Sequence, residues 1–256
     1  MYRRPTGYGW GALTPNQKIG VVVVGILVLY AFFSGAGGSG FLGRLGDPSW
    51  ILAAAAIVLV AFPVHEMAHA AAAVALGDPT PRWQGRFTLN PMAHIDPMGA
   101  VLLFLTGFGW ARPVEWNPRN LEVDRRLGMA LVALAGPASN LVLAGITVFL
   151  LPFLPEIGRV VSGPLGLLFF PGGFLFDFLQ FFVFINTLLF VFNLLPIPPL
   201  DGSHILFALL PASTRELQAF LAQYGLFLLI LFIFLGGSVL VGITSWVMRG
   251  LYGLLL

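Results

Sequence analysis

Long apolar stretches separated by short breaks run through most of this chain. Ile19 to Phe33 is apolar apart from two glycines and follows a polar leader carrying Arg3, Arg4 and Lys18. A basic leader followed by the small residues Ser34 to Gly40 also fits a signal peptide. A retained first helix is preferred, because the distribution of arginines then gives a consistent orientation. A second apolar stretch, Trp50 to Leu76, is long enough to cross a bilayer with tilt and is stopped by Gly77-Asp78-Pro79. Residues 78–127 are the most polar part. Within them Trp83 to Asn90 and Trp110 to Val114 have strand character, and Ala100 to Leu105 is an apolar run too short to span, which suits a re-entrant segment. A third stretch, about Leu127 to Leu151, contains Pro137, which kinks a helix and frees a carbonyl. After a Pro/Gly-rich connection at 152–173, a fourth stretch from about Phe174 to Leu195 runs into Pro196, Pro198 and Pro199. Phe220 to Leu256 is apolar, with breaks expected at Gly236-Gly237 and Arg249-Gly250, and forms one span or two.

This pattern predicts an all-α polytopic membrane protein with about five to six transmembrane helices. A short membrane-associated β or re-entrant segment is expected between helices 2 and 3. Residues 1–256 form a single domain, with a core at about 50–205 and peripheral helices at about 19–34 and 219–256. Composition agrees: 58% of residues are hydrophobic and 9% charged, against about 25% charged in soluble domains. The net charge of +2 gives no case for nucleic acid, and the lack of cysteine excludes disulfides, thiolate ligands and thiol nucleophiles. Arg82, Arg86, Arg112, Arg119, Arg125 and Arg126 crowd the 78–126 loop, whereas the loops at 34–49 and 152–173 hold only Arg44 and Arg159. The positive-inside rule then puts that loop, the N-terminus and the end of the second helix in the cytoplasm, in a multi-pass protein of the cell membrane.

His65-Glu66-Met67-Ala68-His69 lies inside the second apolar stretch. Histidines four apart project from one helical face and can share a zinc ion, with the intervening glutamate beside the metal's water. Ionisable groups at membrane depth are costly and mark function by default. A catalytic zinc needs a third protein ligand and an open position. The candidates are Asp201, His94, His204, Asp96 and Asp177. Asp201 is favoured because it follows a helix broken by prolines, which can direct it back at a site on the same side of the membrane. Glu66 is then the general base, and zinc activates the water. Asn193 and Asn140 are polar groups in the apolar spans, suited either to an oxyanion or to the backbone of broken helices.

The chain resembles the site-2 protease family of intramembrane zinc metalloproteases. The likeness rests on His65-Glu66-Met67-Ala68-His69, Gly136-Pro137-Ala138-Ser139-Asn140 and Asn193 through Asp201-Gly202, with Asn90-Pro91 and His94-Ile95-Asp96-Pro97 between the first two motifs. It implies one zinc held by His65, His69 and Asp201, Glu66 as catalytic base, Asn193 assisting at the oxyanion, and a three-helix catalytic core. It also implies cleavage of a membrane protein's transmembrane helix near its cytoplasmic side, as in regulated intramembrane proteolysis. Many relatives carry a PDZ or CBS domain, for which this length leaves no room. The competing readings are a non-proteolytic membrane metal-binding protein or transporter, and a regulator that retained the fold. A transporter needs a polar pathway across several spans, and few such groups occur outside this site.

Overall fold

The computed structural model describes residues 48–106, 109–153 and 174–255, and these are mostly helical, with no strand among them. The first rod consists of α1 (Pro48–Ala56), a π-helical turn (Ile57–Ala61) and α2 (Phe62–Ala75). The π turn has a local cause. Pro63 cannot donate to the carbonyl four residues back and its ring crowds it. Widening the preceding turn, with Phe62 N–H bonded to the Ile57 carbonyl, absorbs that conflict. One extra residue per turn rotates α2 by roughly 100° relative to α1, so the turn decides which way the His65 and His69 face points.

The end of α2 is a Schellman cap. Asp78 N–H bonds the Ala73 carbonyl, Gly77 N–H bonds the Val74 carbonyl, and Gly77 has φ +103°. From there the chain makes three short helices, α3 (Thr80–Trp83), α4 (Pro91–His94) and α5 (Pro97–Thr106). The Asn90-Pro91 and Asp96-Pro97 pairs explain two of them. Asn90 Oδ1 accepts from Met92 N–H and Asp96 Oδ1 from Gly99 N–H, and each following proline takes the first helical position, where its missing N–H costs nothing. The strand character expected at 83–90 and 110–114 is therefore overturned: capping and proline chemistry make short helices and turns around the first, and among the described residues pairing is confined to one antiparallel bridge between Ile95 and Ala111. Leu103 of α5 packs with Ile57 and Val58 of the π turn.

α6 (Arg125–Leu150), capped by the Asp124 carboxylate, is central. α2, α7 (Phe174–Asn193) and α8 (Asp201–Leu209) all pack against it. α9 runs unbroken from Arg215 to Leu255. The breaks expected at Gly236-Gly237 and Arg249-Gly250 do not occur, because glycine weakens a helix interior by only about 1 kcal/mol relative to alanine. At 41 residues α9 is about 60 Å long, twice the hydrocarbon thickness. Among the described residues, four segments are long and apolar enough to cross a membrane: Ile51–Ala75, Arg125–Phe153, Arg215–Ile233 and Leu235–Leu255. The span expected at Ile19 to Phe33 and most of the 152–173 connection lie outside the described residues.

Asp78, fully buried, ties the polar segment down. It accepts from the Thr80 N–H and hydroxyl, the Asn117 N–H and the Asn120 amide. Burial pushes its carboxyl up, but these donors outweigh burial and hold it below the ordinary carboxylate range. A folded value below the unfolded one, about 3.9, means stability that is present above pH 4 and lost as pH falls through the folded value. Asp78→Asn is expected to destabilise by about 1–3 kcal/mol at pH 7. Thermal unfolding in detergent should show native and variant curves converging at acid pH; a constant gap across the range would contradict this role.

Candidate metal centre

His65 and His69 are buried on the face of α2 that meets α6. Their Nε2 atoms lie 3.1 Å apart. Asp201, the first residue of α8, brings Oδ2 to 3.2 Å from His65 Nε2 and Oδ1 to 3.4 Å from His69 Nε2. A tetrahedral zinc with bonds of 2.0–2.1 Å needs ligand atoms roughly 3.3–3.4 Å apart, so these spacings suit one ion. The opposite ring nitrogens are committed. His69 Nδ1 meets the Val132 carbonyl at 2.7 Å and His65 Nδ1 meets Asn140 Oδ1 at 2.7 Å. A carbonyl only accepts, so each Nδ1 carries the proton and each Nε2 presents a lone pair. The Asp201 carboxylate oxygens face these two lone pairs. Three converging lone-pair donors repel one another unless a cation joins them, and the residues present therefore fit a zinc ion. Among the described residues they are the group of His, Asp and Glu side chains close enough to hold a metal.

Each motif has a steric or polar task here. Gly136 lets α6 approach: a Cβ there would overlap His69 Nε2 and come within 2.7 Å of His65 Cε1. Asn140 lies one turn further along the same face. Pro137 gives no N–H to the Ala133 carbonyl, and Ala133 lines the site. Gly202 packs α8 against the end of α7, where a Cβ would overlap the Leu194 carbonyl, and this close approach carries Asp201 back over the imidazoles. Beside the donors is a cavity of about 130 Å³ whose lining includes Glu66, His69, Val114, Trp116, Asp201 and His204. Glu66 is 8% exposed, and its Oε2 accepts the Val114 N–H at 2.8 Å.

The other candidates lie elsewhere. His94 is fully buried and its Nε2 bonds the Thr88 carbonyl, Asp96 caps α5, and Asp177 sits in the first turn of α7. His204 lines the cavity beside Trp116 without joining the donor group. Asn193 ends α7 with its amide donated to the Leu189 carbonyl and does not line the cavity. Sequence reasoning passed over Asn186, fully buried in α7, whose Oδ1 accepts from Asn140 Nδ2 at 3.1 Å. Its signal was there: an amide amid Phe, Val, Ile and Leu. The Val132 carbonyl and Val114 N–H left no signal, since every residue type has a backbone.

Comparison with known proteins agrees with this geometry. Peptidase family M50 matches residues 53–235. The chain is 42% identical over 177 residues to the Bacillus subtilis protein named "Putative zinc metalloprotease YwhC", covering 69% of this chain and 78% of that one. It is 33% identical over 182 residues to the Mycobacterium tuberculosis H37Rv protein of the same description, Rip2, covering 68% of this chain and 64% of Rip2. The Mycolicibacterium smegmatis Rip2 is 30% identical, with 62% of its length covered. The chain thus spans less than two thirds of these two mycobacterial relatives. No solved structure matches.

Proposed function

The chain belongs to peptidase family M50, the site-2 proteases, and on that premise we propose that it is a zinc metalloendopeptidase cutting a peptide bond in or near the transmembrane helix of another membrane protein. Membership makes it a membrane metalloprotease; the substrate and the site roles are the proposal. The observation that carries it is the meeting of His65, His69 and Asp201 donors beside the Glu66 carboxylate.

The roles of the metal ligands and of Glu66 come from position, and that of Asn193 from the family resemblance alone. His65 Nε2, His69 Nε2 and an Asp201 oxygen would hold the ion. Zinc, when bound, supplies Lewis acidity to water and carbonyl alike. Glu66 takes the proton of the attacking water and later delivers it to the leaving amine. The Val114 N–H fixes one Glu66 oxygen and leaves the other to handle that proton. Burial keeps bulk water from screening these charges. Asn193 Nδ2 has a second hydrogen beyond the one given to Leu189, and that hydrogen is assigned to the oxyanion, as the family resemblance implies. A substrate helix must unwind before its carbonyl reaches the site, because helical carbonyls are already bonded. α5 is assigned as the re-entrant element, and the arginine-rich loop as cytoplasmic.

The test is cleavage of a single-span membrane protein in liposomes. Cleavage that a chelator abolishes and added zinc restores supports the proposal; cleavage indifferent to chelation rejects it. A flux of zinc into protein-bearing liposomes without cleavage would favour the transporter. Orientation is open to labelling, since the chain has no cysteine. A single cysteine at exposed Arg119 is expected to react only from the cytoplasmic side, and reaction only from outside would reverse the topology.

A further inference from the structure

We propose that Asn186 is a positioning residue which, acting through Asn140, sets the tautomer of His65 and so keeps its Nε2 ready for metal. One atom in α7 has no choice of role. The Phe182 carbonyl can only accept, and Asn186 Nδ2 donates to it at 2.9 Å. The amide nitrogen of Asn186 is thereby turned toward its own helix, and its oxygen faces α6. That oxygen can only accept, so it receives Asn140 Nδ2 at 3.1 Å. The Asn140 oxygen must then face the other way, toward His65 Nδ1 at 2.7 Å. It too can only accept, so the proton of the imidazole sits on Nδ1. The direction of every bond in this relay is fixed by a backbone carbonyl in α7, three bonds from the imidazole.

Both asparagines are fully buried, and water cannot substitute for a missing partner. Without Asn186, Asn140 is free to turn its amide over and present N–H to His65. The imidazole then moves its proton from Nδ1 to Nε2, with no change in proton count, and the atom beside Asp201 becomes a donor instead of a ligand. His69 escapes this fate, because the Val132 carbonyl holds its Nδ1 directly. The structure thus contains its own control.

The test uses the full chain in detergent with ¹⁵N-labelled histidine, which gives only four residues to resolve. In the metal-free native protein, at a pH high enough that both imidazoles are neutral, His65 and His69 are each expected as the Nδ1–H tautomer. In Asn186→Val, His65 is expected to show Nε2–H while His69 does not, and zinc affinity is expected to fall about 10–100-fold, the usual cost of losing an outer-shell partner. Thr187→Val serves as comparison. Thr187 is the buried neighbour whose hydroxyl bonds only the Val183 carbonyl of its own helix, and its loss should leave tautomer and affinity alone. Native His65 found as Nε2–H, or Asn186→Val with an unchanged tautomer and affinity, would overturn the proposal; the first needs no variant to fold. The inference rests on His65 as a zinc ligand, but the two fail differently. Absence of zinc binding by the native chain sinks the protease reading, whereas normal binding with an indifferent Asn186→Val sinks only the relay.

Discussion

Glu66→Gln is expected to lower the cleavage rate by about 10³-fold, within the span typical of a positioned acid–base group, with zinc content unchanged. The substitution is nearly isosteric, and the new amide oxygen still accepts the Val114 N–H that Glu66 Oε2 now holds. The 109–124 segment therefore keeps its place and the fold is not at stake. What disappears is the capacity to take a proton. The only other carboxylate lining the cavity among the described residues is Asp201, which serves as a ligand. No free carboxylate remains in the cavity lining to take over the work. Rates of native and variant protein in the same liposomes, with zinc measured in both, decide the matter. A variant that binds zinc and cleaves at the native rate would remove Glu66 from the chemistry.

Gly136→Ala is expected to weaken zinc binding by about 10–100-fold. Forced methyl groups in packed interiors cost about 1–3 kcal/mol, and each 1.4 kcal/mol is a factor of ten. Here the new carbon overlaps His69 Nε2 itself and crowds His65 Cε1. Relief requires either α6 to retreat, which pulls Asn140 and the Val132 carbonyl away from the imidazoles, or the rings to turn, which spoils the ligand set. Gly145→Ala on the same helix is the comparison. Its Cβ meets Leu255 Cδ1 at an ordinary 3.7 Å, so zinc binding should be unaffected. Equal zinc affinity in Gly136→Ala and native protein would show that α6 yields at no cost and that this glycine is not part of the site.

Much of the site could be read from the sequence because its signals are local. The His65-to-His69 spacing is a property of one helix, as is the Schellman stop at Gly77. The second, third and fourth apolar stretches correspond to Ile51–Ala75, Arg125–Phe153 and α7 within a few residues, because apolar length is local too. The strand expectation at 83–90 failed for a nearby reason: Thr, Trp and Phe suggested strand, but Pro79, Pro81 and the Asn90-Pro91 cap settle short helices and turns first. The unbroken α9 shows the limit of glycine as a punctuation mark in a long apolar run.

By itself, the sequence determined a helical membrane chain with one helix bearing two histidines and a glutamate on a single face, because periodicity and apolar length need no partner to be recognised. It could also nominate Asp201, since prolines ahead of it redirect the backbone. Only the tertiary structure decided that this carboxylate meets both imidazoles, that Gly136 makes room for them, and that Val132, Val114 and Asn186 orient the set. Those facts depend on contacts between distant helices, several of them through backbone atoms that every residue shares, and such contacts leave no mark on the order of residue types.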